Sequence, residues 1–458
     1  MKDAVRRAAA LAIEHLESVE RQPVRPKRDA DSLRAALLLA PPARGCDVDE
    51  LADRLASVMA ATPVTISRRF FNQLFGGADP GAILGEMVVP VLNNSLYTFK
   101  VAGPHVLVEE ALIRHMLPFA GFEGGDGAFT PGGSLSNFVA MLVARNEALP
   151  GTRERGLDGR VGVIYSSAEA HYSVRKAAGM LGMGRQNVRG VPVDARGGMR
   201  PDALAEAIRA DRAEGRVPVM INATAGTTVR GAVDPIDAIA DVAAAEGVWL
   251  HVDGAWGGSI VLSERHRGLL RGLHRADSFT WDAHKMMGVP LTCSVALFRK
   301  PDILRAHLSE VATYLFQADG DRLNPGTRSL QCGRRNDALK LWCGWQLHGD
   351  AGYARRIDAL LDLARYAAEA VDADPELVLA EAPQTANVCF EVPGRSSAAI
   401  CERLYDEGLA MVGTGEVCGR NTIRLVCVNP DQTTEDIDAL LAAVKAVAAS
   451  LPAEDDAA

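Results

Sequence analysis

The chain has 458 residues, 48% hydrophobic and 23% charged, with 49 basic against 58 acidic side chains and a net charge of −9. That length can bury more than one core, and that hydrophobicity excludes disorder for most of the chain. The acidic balance argues against a nucleic-acid partner, whose phosphates need a basic face.

The opening, MKDAVRRAAALAIEHLESVE, is amphipathic and carries Glu14, Glu17 and Glu20, where a secretory signal would be uninterruptedly apolar. It reads as a helix that packs on its own protein or on a second subunit. A mitochondrial presequence is the alternative, and the acids count against it. No apolar run reaches the roughly 20 residues of a membrane span, so no membrane partner is expected. The eight cysteines form no C-x-x-C pair, which leaves zinc without a local signature and no metal expected. They read as free thiols of a cytosolic, cytoplasmic protein.

Three parts are expected: an N-terminal helical segment over 1–66, a large domain over 67–344 and a smaller C-terminal domain over 345–458. Within the large part, short apolar runs alternate with helix-period stretches. The runs Val161–Ser166, Val217–Thr224, Val248–Val252, Ser278–Trp281 and Ser294–Phe298 predict strands, nearly continuous in hydrophobicity as strands buried on both faces are. Pro201–Glu214 and Pro235–Glu246 predict helices between them. The alternation predicts an α/β domain with a largely parallel sheet, whose ligands sit at the carboxyl ends of the strands. Gly344–Val371 predicts one long helix, and the tail PAEDDAA is polar.

The strand ends carry the chemistry. In FTPGGSLSNFVAMLVARNEA, Gly132 and Gly133 let the backbone turn, Ser134 and Ser136 offer hydroxyls, and a helix from about Ser136 offers free N–H groups to an anion. A plain capping turn is the other reading. His171 follows a strand, where an imidazole can stack on a planar ring or serve as a structural histidine. Thr227 and Thr228 follow the next strand. Asp253 ends the strand after that, either as a turn aspartate or as an acid able to hold a pyridinium nitrogen protonated. Lys285 lies 32 residues further on, beside His284 and among Met286, Met287, Val289 and Leu291. Partial desolvation there favours the neutral amine that attacks a carbonyl; a snorkelling lysine beside a core histidine is the alternative. Only eight lysines exist in the chain, which narrows the choice of amine. A lysine for a Schiff base and an acid for a ring nitrogen are what pyridoxal phosphate requires.

The series resembles the group II pyridoxal-phosphate-dependent amino-acid decarboxylases of fold type I, nearest their glutamate and cysteine sulfinate decarboxylase branch. The motifs are RRFFNQL (68–74), PGGSLSN (131–137), HYS (171–173), TAGTTVRGAVDPI (224–236), WLHVDGAWGG (249–258), HKMMGVPLTCS (284–294), YLFQ (314–317), QCGRRND (331–337) and IRLV (423–426). The resemblance implies a mostly parallel seven-stranded sheet with helices on both faces, plus a smaller C-terminal α+β domain. It implies a homodimer with the active site at the interface. By position it assigns Lys285 to the Schiff base, Asp253 to the ring nitrogen and His171 to stacking on the ring. Ser134, the Leu135 N–H and Ser136 take the phosphate, with His284 nearby, and Thr228 and Ala255 line the cofactor. Tyr314 falls on the catalytic loop as proton donor, Arg424 meets the substrate α-carboxylate and Gln73 lies at the substrate pocket. The sequence departs from the branch at Asp282-Ala283, where Asn-Pro is usual, in a shorter loop after Tyr314, and at Lys100.

Phe75, Ser95 and Tyr97 resemble the cysteine sulfinate pattern, and a bulky Phe75 shortens the pocket, whereas HKMMGVPL resembles the glutamate enzyme. Cysteine sulfinate, cysteate or aspartate are therefore favoured over glutamate. An aromatic, diamino or pathway-specific substrate, and a catalytically silent scaffold, are the competing readings.

Overall fold

The computed structural model describes residues 1–26, 29–310 and 323–453. They form two compact units, one of residues 78–362 and 383–386, the other of residues 1–77, 363–382 and 387–458. The units divide the chain at 77/78 and 362/363, where the sequence reading set 66/67 and 344/345. Phe70–Phe71 pairs in parallel with Met411–Val417 and so ties the N-terminal stretch to the C-terminal one. A pairing this distant in sequence leaves no local trace.

The larger unit is built on seven strands: β1 (Asp126–Thr130), β2 (Gly162–Ser167), β3 (Val188–Val191), β4 (Val217–Thr224), β5 (Trp249–Gly254), β6 (Ser278–Asp282) and β7 (Ser294–Phe298), in the order β1-β7-β6-β5-β4-β2-β3. Only β7 runs against its neighbours. The carboxyl ends of the other six therefore lie on one edge. The expected mostly parallel seven-stranded sheet is present, with β1 and β3 added to the five strands read from the sequence. Helix Gly133–Ala148 packs Met141 and Ala144 against Ile164 and Met220, and Val139, Ala140 and Val143 against Ala128, Ala296 and Phe298. This apolar contact fixes the helix whose first turn faces the sheet's carboxyl edge.

The smaller unit holds a five-stranded sheet, in which Arg420–Val426 lies between Met411–Val417 and Asn387–Glu391 and antiparallel to both. Thr433 and Asp436 form a capping box that starts helix Thr434–Ser450. The stretch read as one helix over Gly344–Val371 is longer, Asp337–Ala373, and is broken at Gly349, whose φ of 61° no helix accommodates. Among the described residues, no helix is long and apolar enough to cross a membrane.

Candidate active site

The residues expected at the site follow five strand ends of the larger unit. Lys285 follows β6, half-buried among Met286, Met287 and Val289, each of them buried. Its Nζ lies 3.4 Å from Asp282 Oδ2, and the same oxygen lies 3.5 Å from His284 Nε2. His284 Nδ1 is 2.8 Å from the carbonyl oxygen of Cys293. His171 stands after β2, and its ring feels Asp253, Lys285 and Asp282 together. Burial pushes that imidazole below its usual pKa, a shift opposed by the Asp253 carboxylate. Half-buried Thr228 follows β4, and half-buried Ala255 follows β5.

The phosphate candidates separate. Helix Gly133–Ala148 begins three residues earlier than its sequence suggested, because Gly132 takes a φ of 113° and acts as the N-cap. Three residues make most of a helical turn, so Ser136 points into the core rather than toward the edge. Its hydroxyl lies 2.7 Å from both Thr130 Oγ1 and Ser294 Oγ. The N–H groups of Leu135 and Ser136 both donate to the Gly132 carbonyl. Ser134 is exposed, and no side chain caps the first turn. The Gly133 N–H and Ser134 with its hydroxyl are thus the donors of this turn left without a partner among the described residues. A Cβ on Gly133 would stand 2.6 Å from Asp282 Oδ2 and 3.0 Å from Ala255 Cβ, so only glycine lets the turn close on those residues.

Asp253 decides what the edge can hold. It is 4% exposed, yet forms no ion pair among the described residues. Its Oδ2 accepts from Asn137 Nδ2 at 2.7 Å and its Oδ1 from the Ala255 N–H at 3.1 Å. A buried carboxylate without a counter-charge is costly. A protonated ring nitrogen fits it, with a lysine amine and an uncapped helix start on the same edge. Residues 34–393 match the family model of the pyridoxal-dependent decarboxylase conserved domain. The chain belongs to this family. It is 40% identical over 438 residues to cysteine sulfinic acid decarboxylase of Mus musculus, covering 90% of this chain and 89% of that one. An acidic amino acid decarboxylase of Bos taurus is 39% identical over 414 residues, covering 85% and 80%. The crystal structure of mouse CSAD superposes with a TM-score of 0.93 at 35% identity, covering 98% of this chain and 99% of that one. This protein is accordingly a pyridoxal-dependent amino-acid decarboxylase of fold type I, with pyridoxal phosphate as its cofactor.

The expected substrate residues of this decarboxylase fall in both units. In the larger, the Ser95 hydroxyl accepts the Arg334 N–H at 3.4 Å, and the Tyr97 carbonyl accepts the Gly326 N–H at 2.9 Å. Arg334 pairs with Glu109 at 2.7 Å, both buried, and donates to the carbonyls of Leu96 and Phe129. Lys100 is exposed. In the smaller unit, Arg424 sits on the central strand Arg420–Val426 and donates to the Asn72 carbonyl. Burial pushes its guanidinium pKa down. Phe75 packs on Phe70 with ring centroids 5.9 Å apart, and Gln73 is exposed. Tyr314 and the YLFQ motif lie outside the described residues. Sequence reasoning missed Asn137, a buried amide one turn into helix Gly133–Ala148, and His251. The signal for His251 was its i, i+2 spacing to Asp253, which puts both on one face of β5.

Proposed function

We propose that this decarboxylase acts on a small acidic L-amino acid, cysteine sulfinate, cysteate or aspartate ahead of glutamate, releasing carbon dioxide and the corresponding amine. The observation that carries the reading is 40% identity across 90% of the chain to a cysteine sulfinic acid decarboxylase. The likeness to an acidic amino acid decarboxylase supports it. So do Phe75, Ser95 and Tyr97, although one methylene is worth only about 1–3 kcal/mol in discrimination. The test is carbon dioxide release from a panel of acidic, aromatic and diamino acids. Consumption of the shorter acidic substrates is expected; turnover of an aromatic or diamino acid with no acidic one would overturn the reading.

When bound, pyridoxal phosphate supplies a carbonyl that takes an amine and a ring that accepts an electron pair. The roles we propose for the chain follow from that. Lys285 Nζ is the amine that anchors the cofactor. Asp253 holds a proton at the ring nitrogen. The Gly133 N–H and Ser134 bind the phosphate, with the Leu135 turn and Ser136 shaping the helix start. Thr228, Ala255 and His284 line the cofactor, and the His171 ring covers it. Arg424 binds the substrate α-carboxylate, Gln73 contacts the substrate, and Tyr314 delivers the proton to the α-carbon. Burial matters here because charge interactions strengthen where water is excluded.

The proposed working form is a cytosolic homodimer. Its support is that helices Lys2–Ser18 and Val48–Ala60 bury none of their residues, leaving Ile13, Leu16, Leu51 and Leu55 exposed. Eight free thiols suit a reducing compartment. A solution mass equal to one chain would contradict the dimer.

A further inference from the structure

A buried chain of hydrogen bonds runs behind Asp253. Asn137 Nδ2, which gives to Asp253 Oδ2 at 2.7 Å, also lies 3.3 Å from Ser173 Oγ. The amide oxygen of Asn137 meets His251 Nε2 at 3.0 Å and accepts the Thr280 hydroxyl at 2.7 Å. His251 Nδ1 lies 2.8 Å from Ser278 Oγ, which accepts the indole N–H of Trp249 at 2.9 Å. Asn137, His251, Ser278 and Thr280 are each no more than 2% exposed.

The proton positions follow from donor and acceptor counting. An amide oxygen only accepts, so His251 carries its proton on Nε2. Its Nδ1 must then accept, and the Ser278 hydroxyl supplies the proton while taking one from Trp249. This arrangement gives every member a partner. Turning the Asn137 amide over would set its oxygen against the Asp253 carboxylate and its NH₂ against two donors. Burial, which drives the His251 pKa down to about 4, keeps the imidazole neutral as this arrangement requires.

We propose that Asn137 and His251 are positioning residues for Asp253: His251 locks the Asn137 amide, and the amide fixes the orientation of the carboxylate toward the cofactor ring nitrogen. The proposal rests on the role of Asp253 given above. With Oδ2 held by Asn137 and Oδ1 by the Ala255 N–H, the carboxylate keeps one direction on each oxygen for a cationic N–H.

The test compares Asn137→Ala, His251→Phe and Asp253→Asn as holoenzymes and as apoenzymes titrated with pyridoxal phosphate. His251→Phe keeps the ring volume and removes the donor, so it serves if Asn137→Ala does not fold. Expected for either positioning variant are a shifted pH titration of the visible cofactor band and a dissociation constant for pyridoxal phosphate raised several-fold. A kcat lowered roughly 10–100-fold with KM little changed completes the signature, in the range seen when outer-shell partners are removed. A folded Asn137→Ala or His251→Phe protein with band, dissociation constant and kcat as in the parent overturns the proposal. If Asp253→Asn also leaves all three unchanged, the role of Asp253 itself fails; if it alone abolishes activity, only the positioning role does.

Discussion

Lys285 Nζ stands 3.4 Å from Asp282 Oδ2, in a place where the resembling branch usually has asparagine. Asp282 is 1% exposed, and its carboxylate reaches the first turn of helix Gly133–Ala148, within 2.6 Å of where a Gly133 Cβ would be. In the apoenzyme this carboxylate complements Lys285 and His284. Once a phosphate occupies the helix start, the same charge opposes it. Removing one such charge is worth about 1–2 kcal/mol at the effective dielectric of a partly buried site. Asp282→Asn is therefore expected to tighten pyridoxal phosphate binding to the apoenzyme roughly tenfold. A fluorescence titration that gives weaker binding would contradict this.

Gly326 touches Tyr97 through an absence. A Cβ built there would stand 2.4–2.6 Å from three atoms of the Tyr97 ring, closer than any packed contact allows. The backbone is also tied, since the Gly326 N–H donates to the Tyr97 carbonyl and the Phe99 N–H donates to Asn324 Oδ1 at 2.9 Å. Gly326→Ala must then move the ring rather than the chain. If Tyr97 contacts substrate, KM for the preferred acidic amino acid rises about tenfold and the ratio between shorter and longer acids changes, a shift of about 1–2 kcal/mol. The visible cofactor band stays as in the parent. Unchanged selectivity would remove Tyr97 from the substrate pocket.

Much of this was legible in the sequence because strands buried on both faces are continuous apolar runs. Val217–Thr224 and Ser294–Phe298 emerge with the boundaries read from sequence alone. Two strands of the seven-stranded sheet were not legible. Asp126–Thr130 starts with an aspartate whose buried carboxylate accepts the N–H groups of Gly127 and Leu304, a partnership no local pattern reveals. Val188–Val191 is an edge strand, half exposed, and carries Arg189 and Gly190. At the site, Lys285 and Asp253 stood out because strand-end position and residue type agreed. Ser136 misled because the helix start was displaced by three residues, which rotates a side chain from the edge into the core. Asn137 carried no signature and His251 only its i, i+2 spacing to Asp253, since each looks like an isolated polar residue until the fold brings them within 3.0 Å.

Arg424 offers a test of substrate anchoring. Its strand lies between two antiparallel neighbours that pair Cys389 and Gly413 with it, so the backbone under the guanidinium is well fixed. Burial already costs the charge, and an anionic partner repays that cost. Replacing it by methionine keeps much of the volume and removes the cation. A fall in kcat/KM of about a hundredfold, carried mainly by KM, is expected for an α-carboxylate contact of about 3 kcal/mol. Lysine at 424 should recover only part, because it lacks the planar fork. Loss confined to kcat would place Arg424 elsewhere in the reaction.

Asp234 predicts how stability depends on pH. Its carboxylate is 2% exposed and accepts the N–H groups of Met199 at 2.6 Å and Thr224 at 2.7 Å, with no cation against it among the described residues. Burial raises its pKa from 3.8 to about 7, outweighing the two N–H donors, and Glu169 and Asp194 add repulsion. The folded form thus holds a proton that the unfolded chain releases near its ordinary pKa. Stability from this group is complete below about pH 4 and is lost as pH rises through about 7. Asp234→Asn can accept only one of the two N–H groups and turns its NH₂ toward the other, which costs about 1–3 kcal/mol in acid. The parent should therefore melt above the variant near pH 4, and the gap should shrink as pH rises from about 4 to about 7, where the unfolded chain is ionised and the fold still holds the proton, and level off once the buried carboxylate ionises. Melting curves of both holoenzymes at a series of pH values measure that gap. A gap independent of pH would mean that Asp234 ionises in the fold as readily as in the unfolded chain.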